Sequence, residues 1–547
     1  MRFLLLILSL IFSLGLTGCS AYQPTVDVKV KVQRNKELGT WKVSYESDRG
    51  FQTLNFARQR YKLRSQSWKI LTSGVRLEDT GQAERITSDK PINKFEAEFD
   101  GRQAGTANDY PIVSHYSDGG VVLYTGHLLL EVPDCAGCKV NHSFEYIPSE
   151  GENVITEENE GQLGDFVYFG DGVVTEFDSF RAVTDRGLPD WIQRQMERSL
   201  PNFINLYQEK LGFALPKKPL VFAAYDKGLA VREEGYVGGV VGSHMQLVLV
   251  GSKWAEPDGI RYEKFAHLIA HEVFHFWNVA LFLASDRVGG SWLHEGGADA
   301  VADFSLYQLG YYGSERYSEI QTERLNRCML GLSMRSLPQS DEHGYYKNFY
   351  ECGAVMNHLL ARKFAPEFTL FDFWRNLFQT SESSFYSQDK FFKVAQPLLA
   401  DPNALEAVRA VAAGNTGEPS QFFKTAFDQL GIHYSTASSG FPLWYEEIAS
   451  KNVVALLAQR DCGESVSVDI GESGIFVEGS ERCSTLKSTH ELRNISGYTI
   501  PSSGAEAHDA LFNQCTSNPV AAVYDSAGQG YVTSCHDFPK RPDYLIW

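Results

Sequence analysis

The stretch His271-Glu272-Val273-Phe274-His275 carries the side chains of a metal-dependent hydrolytic centre. On a helix, His271 and His275 fall about 40° apart, one turn along the same face. Two imidazoles so placed can reach one Zn²⁺ at about 2.0–2.1 Å. Glu272 lies beside them, placed to take a proton from a water that the metal polarises. Glu295 follows in Trp292-Leu293-His294-Glu295-Gly296-Gly297 and is a third ligand by type and position. Asp299, four residues on, shares its helical face and could accept the second N–H of His271, as carboxylates do for metal-bound imidazoles. The plain alternative is two core histidines bonded to backbone. Two i, i+4 pairs of the required types, joined by a loop with Gly289 and Gly290, favour one zinc per chain. His267 and His294 read as structural neighbours, because a catalytic zinc takes three protein ligands and keeps its fourth position for water.

These residues need a buried scaffold. Phe265, Leu268, Ile269 and Phe276 make the histidine helix strongly apolar, and a charge buried there without a partner is costly. From Arg261 to about Gly431 the pattern is mostly helical. Before it, Leu220–Ala224 and Leu247–Val250 read as strands, and Pro189 opens a helical run. Val26, Val28, Val30 and Val32 alternate with polar residues, the period of a half-buried strand, and the region to about Glu150 reads as an antiparallel β-sandwich. From Phe441 to Trp547 the pattern turns to short strands with four cysteines.

The chain is 547 residues long, with 50 basic and 68 acidic side chains and a net charge of −18. No basic block is present, which argues against nucleic acid as a partner. Arg2 precedes an apolar run from Phe3 to Leu14, too short to span a bilayer comfortably. The run ends in Leu16-Thr17-Gly18-Cys19, which resembles the lipobox of bacterial lipoproteins. That resemblance implies a lipidated Cys19, a membrane partner through it, and a place in the cell envelope, at the outer membrane if the host is Gram-negative. The other eight cysteines are an even number for an oxidising compartment. Their order suggests the local pairs Cys135–Cys138, Cys328–Cys352, Cys462–Cys483 and Cys515–Cys535. The expected organisation is a multidomain α+β chain: a leader at 1–18, a β-domain at 19–155, a catalytic domain with a helical part at 156–440 and a β-rich domain at 441–547.

The H-E-x-x-H with its downstream W-L-x-E-G resembles the gluzincin metallopeptidases, above all the leukotriene-hydrolase-type aminopeptidases and the glycyl aminopeptidase family. The resemblance covers about Asp165 to Phe364. It implies a thermolysin-like catalytic domain, zinc held by His271, His275 and Glu295, and a peptide or protein substrate. Tyr350-Glu351-Cys352-Gly353-Ala354 is similar to the family's Y-E-K-G-A, whose tyrosine stabilises the oxyanion, with His343, Tyr345 and Tyr346 as rivals for that role. The family also uses a strand motif like G-x-M-E-N, whose glutamate holds the substrate's free amine. The candidate here is Gly242-Ser243-His244-Met245-Gln246, where Gln246 stands in place of the acid. The C-terminal region faintly resembles a PDZ domain. Three readings stay open: a peptidase indifferent to free N-termini, an aminopeptidase, and a surface binding protein without turnover.

Overall fold

The computed structural model describes residues 25–547 apart from 59–62, 81–82, 103–109, 134, 136–137, 158–162, 227–233, 286–289, 341–344, 382, 463–466, 472–473, 479–482 and 487–490. The leader, Cys19, Gly289 and the acidic stretch after Glu157 lie outside the described residues. Among those described, no helix is long and apolar enough to cross a membrane. The architecture is mixed α+β, in two compact units.

The first unit holds strands. β1 (Thr25–Asn35), β2 (Thr40–Phe56), β3 (Trp68–Ile70), β4 (Val75–Asp79), β5 (Glu84–Asp100), β8 (Leu130–Glu131) and β9 (Lys139–Ile147) form one sheet. A second sheet contains β6 (Val113–His115), β7 (Val121–Tyr124), β10 (Asn153–Ile155) and β11 (Phe166–Gly170). The two share one core, in which Val26, Val28, Val30 and Val32 meet Leu123, Val167 and Phe169. The alternation of β1 thus reads out directly in its burial. Two expectations are corrected. The main sheet is not purely antiparallel, since β1 runs parallel to β9. The unit also extends past residue 155 to Asp171, because β11 pairs with β7 and adds Val167 and Phe169 to the core.

The second unit is built on a five-stranded sheet. Its strands are β12 (Thr175–Glu176), β13 (Arg181–Thr184), β14 (Leu220–Asp226), β15 (Gly235–Val241) and β16 (His244–Val250), in the order β12-β13-β14-β16-β15. β13, β14 and β16 are parallel, and β15 is antiparallel at one edge. Val221, Ala223, Met245 and Leu247 on one face pack against α1 (Asp190–Leu211) and α2 (Gly259–His275). Pro189 caps α1, and Gly212, in the left-handed region, ends it. Asp258 caps α2 by accepting the Arg261 N–H at 2.7 Å. α3 (Gly297–Gln308), α4 (Ser314–Met334), α5 (Lys347–Ala361) and α6 (Leu370–Gln379) enclose α2.

Residues 441–547 belong to this second unit. They hold strands, as expected, but also two helices, Leu443–Cys462 and Gly504–Ser517. The C-terminal strand is tied back to α4: Asn326 exchanges hydrogen bonds with both backbone groups of Leu545, and Thr322 does so with Trp547. All four expected cysteine pairs are bonded.

Two imidazoles, one half-buried and one buried, make the fold sensitive to acid. His142 accepts the Leu130 N–H at 2.9 Å, and burial lowers its pKa to about 4. His508 packs on Phe538, and burial, helped by Arg541, lowers its pKa to about 3. Both are neutral when folded and take up a proton on unfolding below 6.5. Their contribution is complete above that pH. It falls as pH drops from there, by about 1.4 kcal/mol per pH unit for each histidine. The melting temperature of wild type should decline steeply on acidification below pH about 6, and His508→Leu should decline less steeply. Identical slopes would remove His508 from the account.

Candidate metal centre

α2 delivers His271, Glu272 and His275 to the interior, each only 6% exposed. The helix then widens into a π-turn, Phe276–Leu281, and a second π-turn, Trp292–Gly296, leads directly into α3. Glu295 sits in that second turn, and Asp299 in the first turn of α3. The Nε2 atoms of His271 and His275 are 2.9 Å apart, and Glu295 Oε2 lies 3.3 Å from each.

The hydrogen bonds behind these atoms set their chemistry. His271 Nδ1 lies 2.8 Å from Asp299 Oδ1 and donates to it, since a carboxylate only accepts. His275 Nδ1 lies 2.8 Å from Asn278 Oδ1, and the Asn278 amide is oriented by its own donation to the His294 carbonyl at 2.8 Å. Both imidazoles therefore carry their proton on Nδ1 and turn a bare Nε2 lone pair inward. Two lone pairs and a carboxylate oxygen at about 3 Å repel unless a cation lies among them. The edges of this triangle also match a tetrahedron with arms of about 2.0–2.1 Å, whose edge is about 3.3 Å. Two nitrogens and one oxygen form a donor set that suits zinc, and three protein ligands leave one position open, as catalytic sites do.

The electrostatics agree. Burial opposes charge on His271, yet its contacts with Asp299 and Glu295 hold its pKa well above the usual histidine value. Burial likewise opposes charge on Glu295, and its bonds to His271 and His275 outweigh that, keeping it well below the usual carboxylate range. The site thus attracts positive charge. Asp299 passes this field outward: its second oxygen accepts from Arg324 at 2.5 Å, and Arg324 also reaches Asp303 and Glu351, each at 3.1 Å. Among the described residues, a further group of potential ligands, Asp461, Cys462 and Cys483, is spent. The cysteines are bonded to each other, and Asp461 accepts the N–H groups of Thr485 and Leu486.

Glu272 is different. Burial raises its pKa, and the nearby histidines only partly offset this. Its Oε2 is buried with no hydrogen-bond partner among the described residues. A carboxylate held dry beside two inward-facing histidines is primed to accept a proton. Tyr350, in the first turn of α5, stacks on the His271 ring with centroids 5.8 Å apart. Burial and the nearby Glu295 push its phenol well above its usual pKa, so it stays a donor. Of its rivals, Tyr346 packs edge-on against Tyr350, Tyr345 joins the core of the C-terminal strands, and His343 lies outside the described residues. His267 points to Arg324 and Asp303, and His294 stands outside the triangle, 3.5 Å from Glu295 Oε1.

The substrate-strand expectation is overturned. Gly242 turns the β15–β16 hairpin at φ 57°. Gln246 lies on β16, which is paired on both sides, opposite Phe222 and Gly239. Met245 and Leu247 face the α2 core, so alternation turns Gln246 to the other side of the sheet, where it is 2% exposed. The strand that borders the site is β15. A Cβ added at Gly238 would lie 2.3 Å from Glu272 Oε1.

Sequence reasoning missed four further residues: Gly238, Asn278, Arg324 and Gly353. A Cβ at Gly296 would lie 2.3 Å from the Gly353 Cα, so α5 and the Glu295 turn meet backbone to backbone. That approach brings Tyr350, one turn earlier, to Glu295. The G-G after Glu295 and the G after Cys352 were the available signals.

No protein-family model matches the chain, and no curated protein matches it. Among solved structures it is similar to native yeast LTA4 hydrolase, with a TM-score of 0.44 and 10% identity over 82% of this chain and 76% of that one.

Gly238→Ala tests the contact between β15 and Glu272. The three candidate metal ligands are untouched, so any metal they hold should be retained, while the displaced carboxylate lowers kcat by about tenfold or more. Unchanged kcat would show that Glu272 does not depend on this strand.

Proposed function

We propose that the second unit is a zinc-dependent metallopeptidase of the gluzincin type, acting on peptides or proteins without a strict need for a free N-terminus. One observation carries the reading: three acceptor atoms of His271, His275 and Glu295 converge within 3.3 Å beside a buried Glu272 whose Oε2 has no hydrogen-bond partner among the described residues.

A zinc ion held by these three residues supplies a Lewis acid for water and for the carbonyl under attack. Glu272 takes the proton of the attacking water and returns it to the leaving amine, a task suited to its raised pKa. Tyr350 keeps its proton and donates a hydrogen bond to the oxyanion that develops on the substrate. Asp299 fixes the proton of His271 on Nδ1, and Asn278 does the same for His275. β15 ends the sheet beside Glu272, so its outer edge offers backbone groups to an extended chain.

The mode of cleavage follows from charge. β15 reads Gly-Tyr-Val-Gly-Gly-Val-Val and carries no carboxylate. The nearby acids are committed: Glu234 pairs with Arg261 and Lys264, and Glu351 with Arg324. Glu233 lies outside the described residues. With no acid on the edge strand, a substrate's ammonium group gains no ion pair there. A non-catalytic binding role fits less well, since a dry, unpaired carboxylate is costly to keep without a use.

One peptide series tests both parts. Glu272→Gln should fold and abolish hydrolysis, because an amide accepts no proton. Wild type should cleave N-acetylated and free peptides at comparable rates, where an obligatory ion pair would favour free amines by about ten- to a hundred-fold. Undiminished turnover by the variant would remove Glu272 as the base. Cleavage confined to unblocked peptides would make the enzyme an aminopeptidase.

A further inference from the structure

A second cleft, of about 460 Å³, opens where α1 passes the start of α2 and the end of α3. Its volume falls in the range of small-molecule sites, about 300–1,000 Å³. Its walls are aromatic: Trp191, Tyr262 and Tyr311 line it, with the Trp191 and Tyr262 rings 4.9 Å apart and edge-on. Its polar side is cationic. Arg194 and Arg198 stand one turn apart on the exposed side of α1, and the Arg198 guanidinium lies over the Tyr311 ring at 5.8 Å.

The two arginines are the unusual part. Like charges at i, i+4 on a helix repel. Acids are abundant in this chain, with 68 against 50 basic residues, yet neither arginine makes an ion pair among the described residues. The one acid lining the cleft, Glu263, is taken by Arg316 at 3.0 Å. An aromatic cleft with two uncommitted guanidiniums offers stacking to a flat body and forked donors to a pair of anionic oxygens.

We propose that this cleft binds a small aromatic anion, a carboxylate or a phosphate monoester, with the ring against Tyr262 and Tyr311 and the anionic oxygens between Arg194 and Arg198. The site is separate from the metal centre. Glu263 precedes His271 by two helical turns, about 12 Å along α2. The proposal does not depend on the peptidase reading.

The test is calorimetric titration of the full, zinc-loaded protein with phenyl phosphate and with phenylacetate, using benzyl alcohol as the neutral control. Saturable binding of one anion per chain is expected, weaker at high salt, with no binding of the alcohol. Whichever of the two anions binds more tightly identifies the headgroup. Arg194→Gln and Arg198→Gln should each weaken binding by about tenfold, and the double variant should abolish it. Both side chains are exposed, so these variants fold, and unchanged circular dichroism spectra check that. Absence of saturable binding by either anion, or binding that persists in the double variant, would overturn the proposal.

Discussion

The structure of the second unit turns on keeping three hydrogen-bond acceptors face to face in a place water hardly reaches. Left alone, the lone pairs of His271 and His275 and the carboxylate of Glu295 would separate. Each is held from behind instead. Asp299 and Asn278 take the outer protons of the two rings, and α2 and the Glu295 turn are locked by the surrounding aromatic core. The arrangement is stable only with positive charge at its centre. The contacts with Asp299 and Glu295 favour a proton on His271, so a metal held here, as proposed, would compete with that proton.

Holding the triad so firmly requires an extended polar support. Arg324 joins Asp299, Asp303 and Glu351 in one buried network, and His267 and His358 complete it. Buried ion pairs often add little net stability once desolvation is counted. What this network adds is direction: it fixes Asp299, and through it the His271 ring. Close backbone contacts do the same for the other side chains. Gly296 against Gly353 brings Tyr350 to Glu295, and Gly238 leaves room for Glu272. The Cys328–Cys352 bond ties α4, which carries Arg324, to α5, which carries Tyr350.

How much of this was legible in the sequence depended on how local each signal was. His271, His275, Glu295 and Asp299 could be read because helical spacing alone puts them on shared faces. Tyr350 followed from a short motif similar to the family's. The N-terminal strands announced themselves by alternation. Gln246 was misassigned because strand order and edge position are tertiary facts: a residue on the inner strand β16 and one on the edge strand β15 look alike in one dimension. Arg324 and Asn278 carry no local pattern, since their partners lie on other elements or in an unforeseen π-turn. The helix Leu443–Cys462 falls in a region whose expected pattern is short strands; its run Val453-Val454-Ala455-Leu456-Leu457 is unbroken and apolar, which periodicity cannot assign.

His271, His275 and Glu295 together form the proposed zinc site. Its most direct test is metal analysis of the purified full-length protein by inductively coupled plasma mass spectrometry, alongside His271→Ala and Glu295→Ala. The account predicts about one zinc per chain in wild type and its loss in both variants, each still folded by circular dichroism. Wild-type protein that binds no zinc when it is supplied, or variants that keep a full complement, would contradict it.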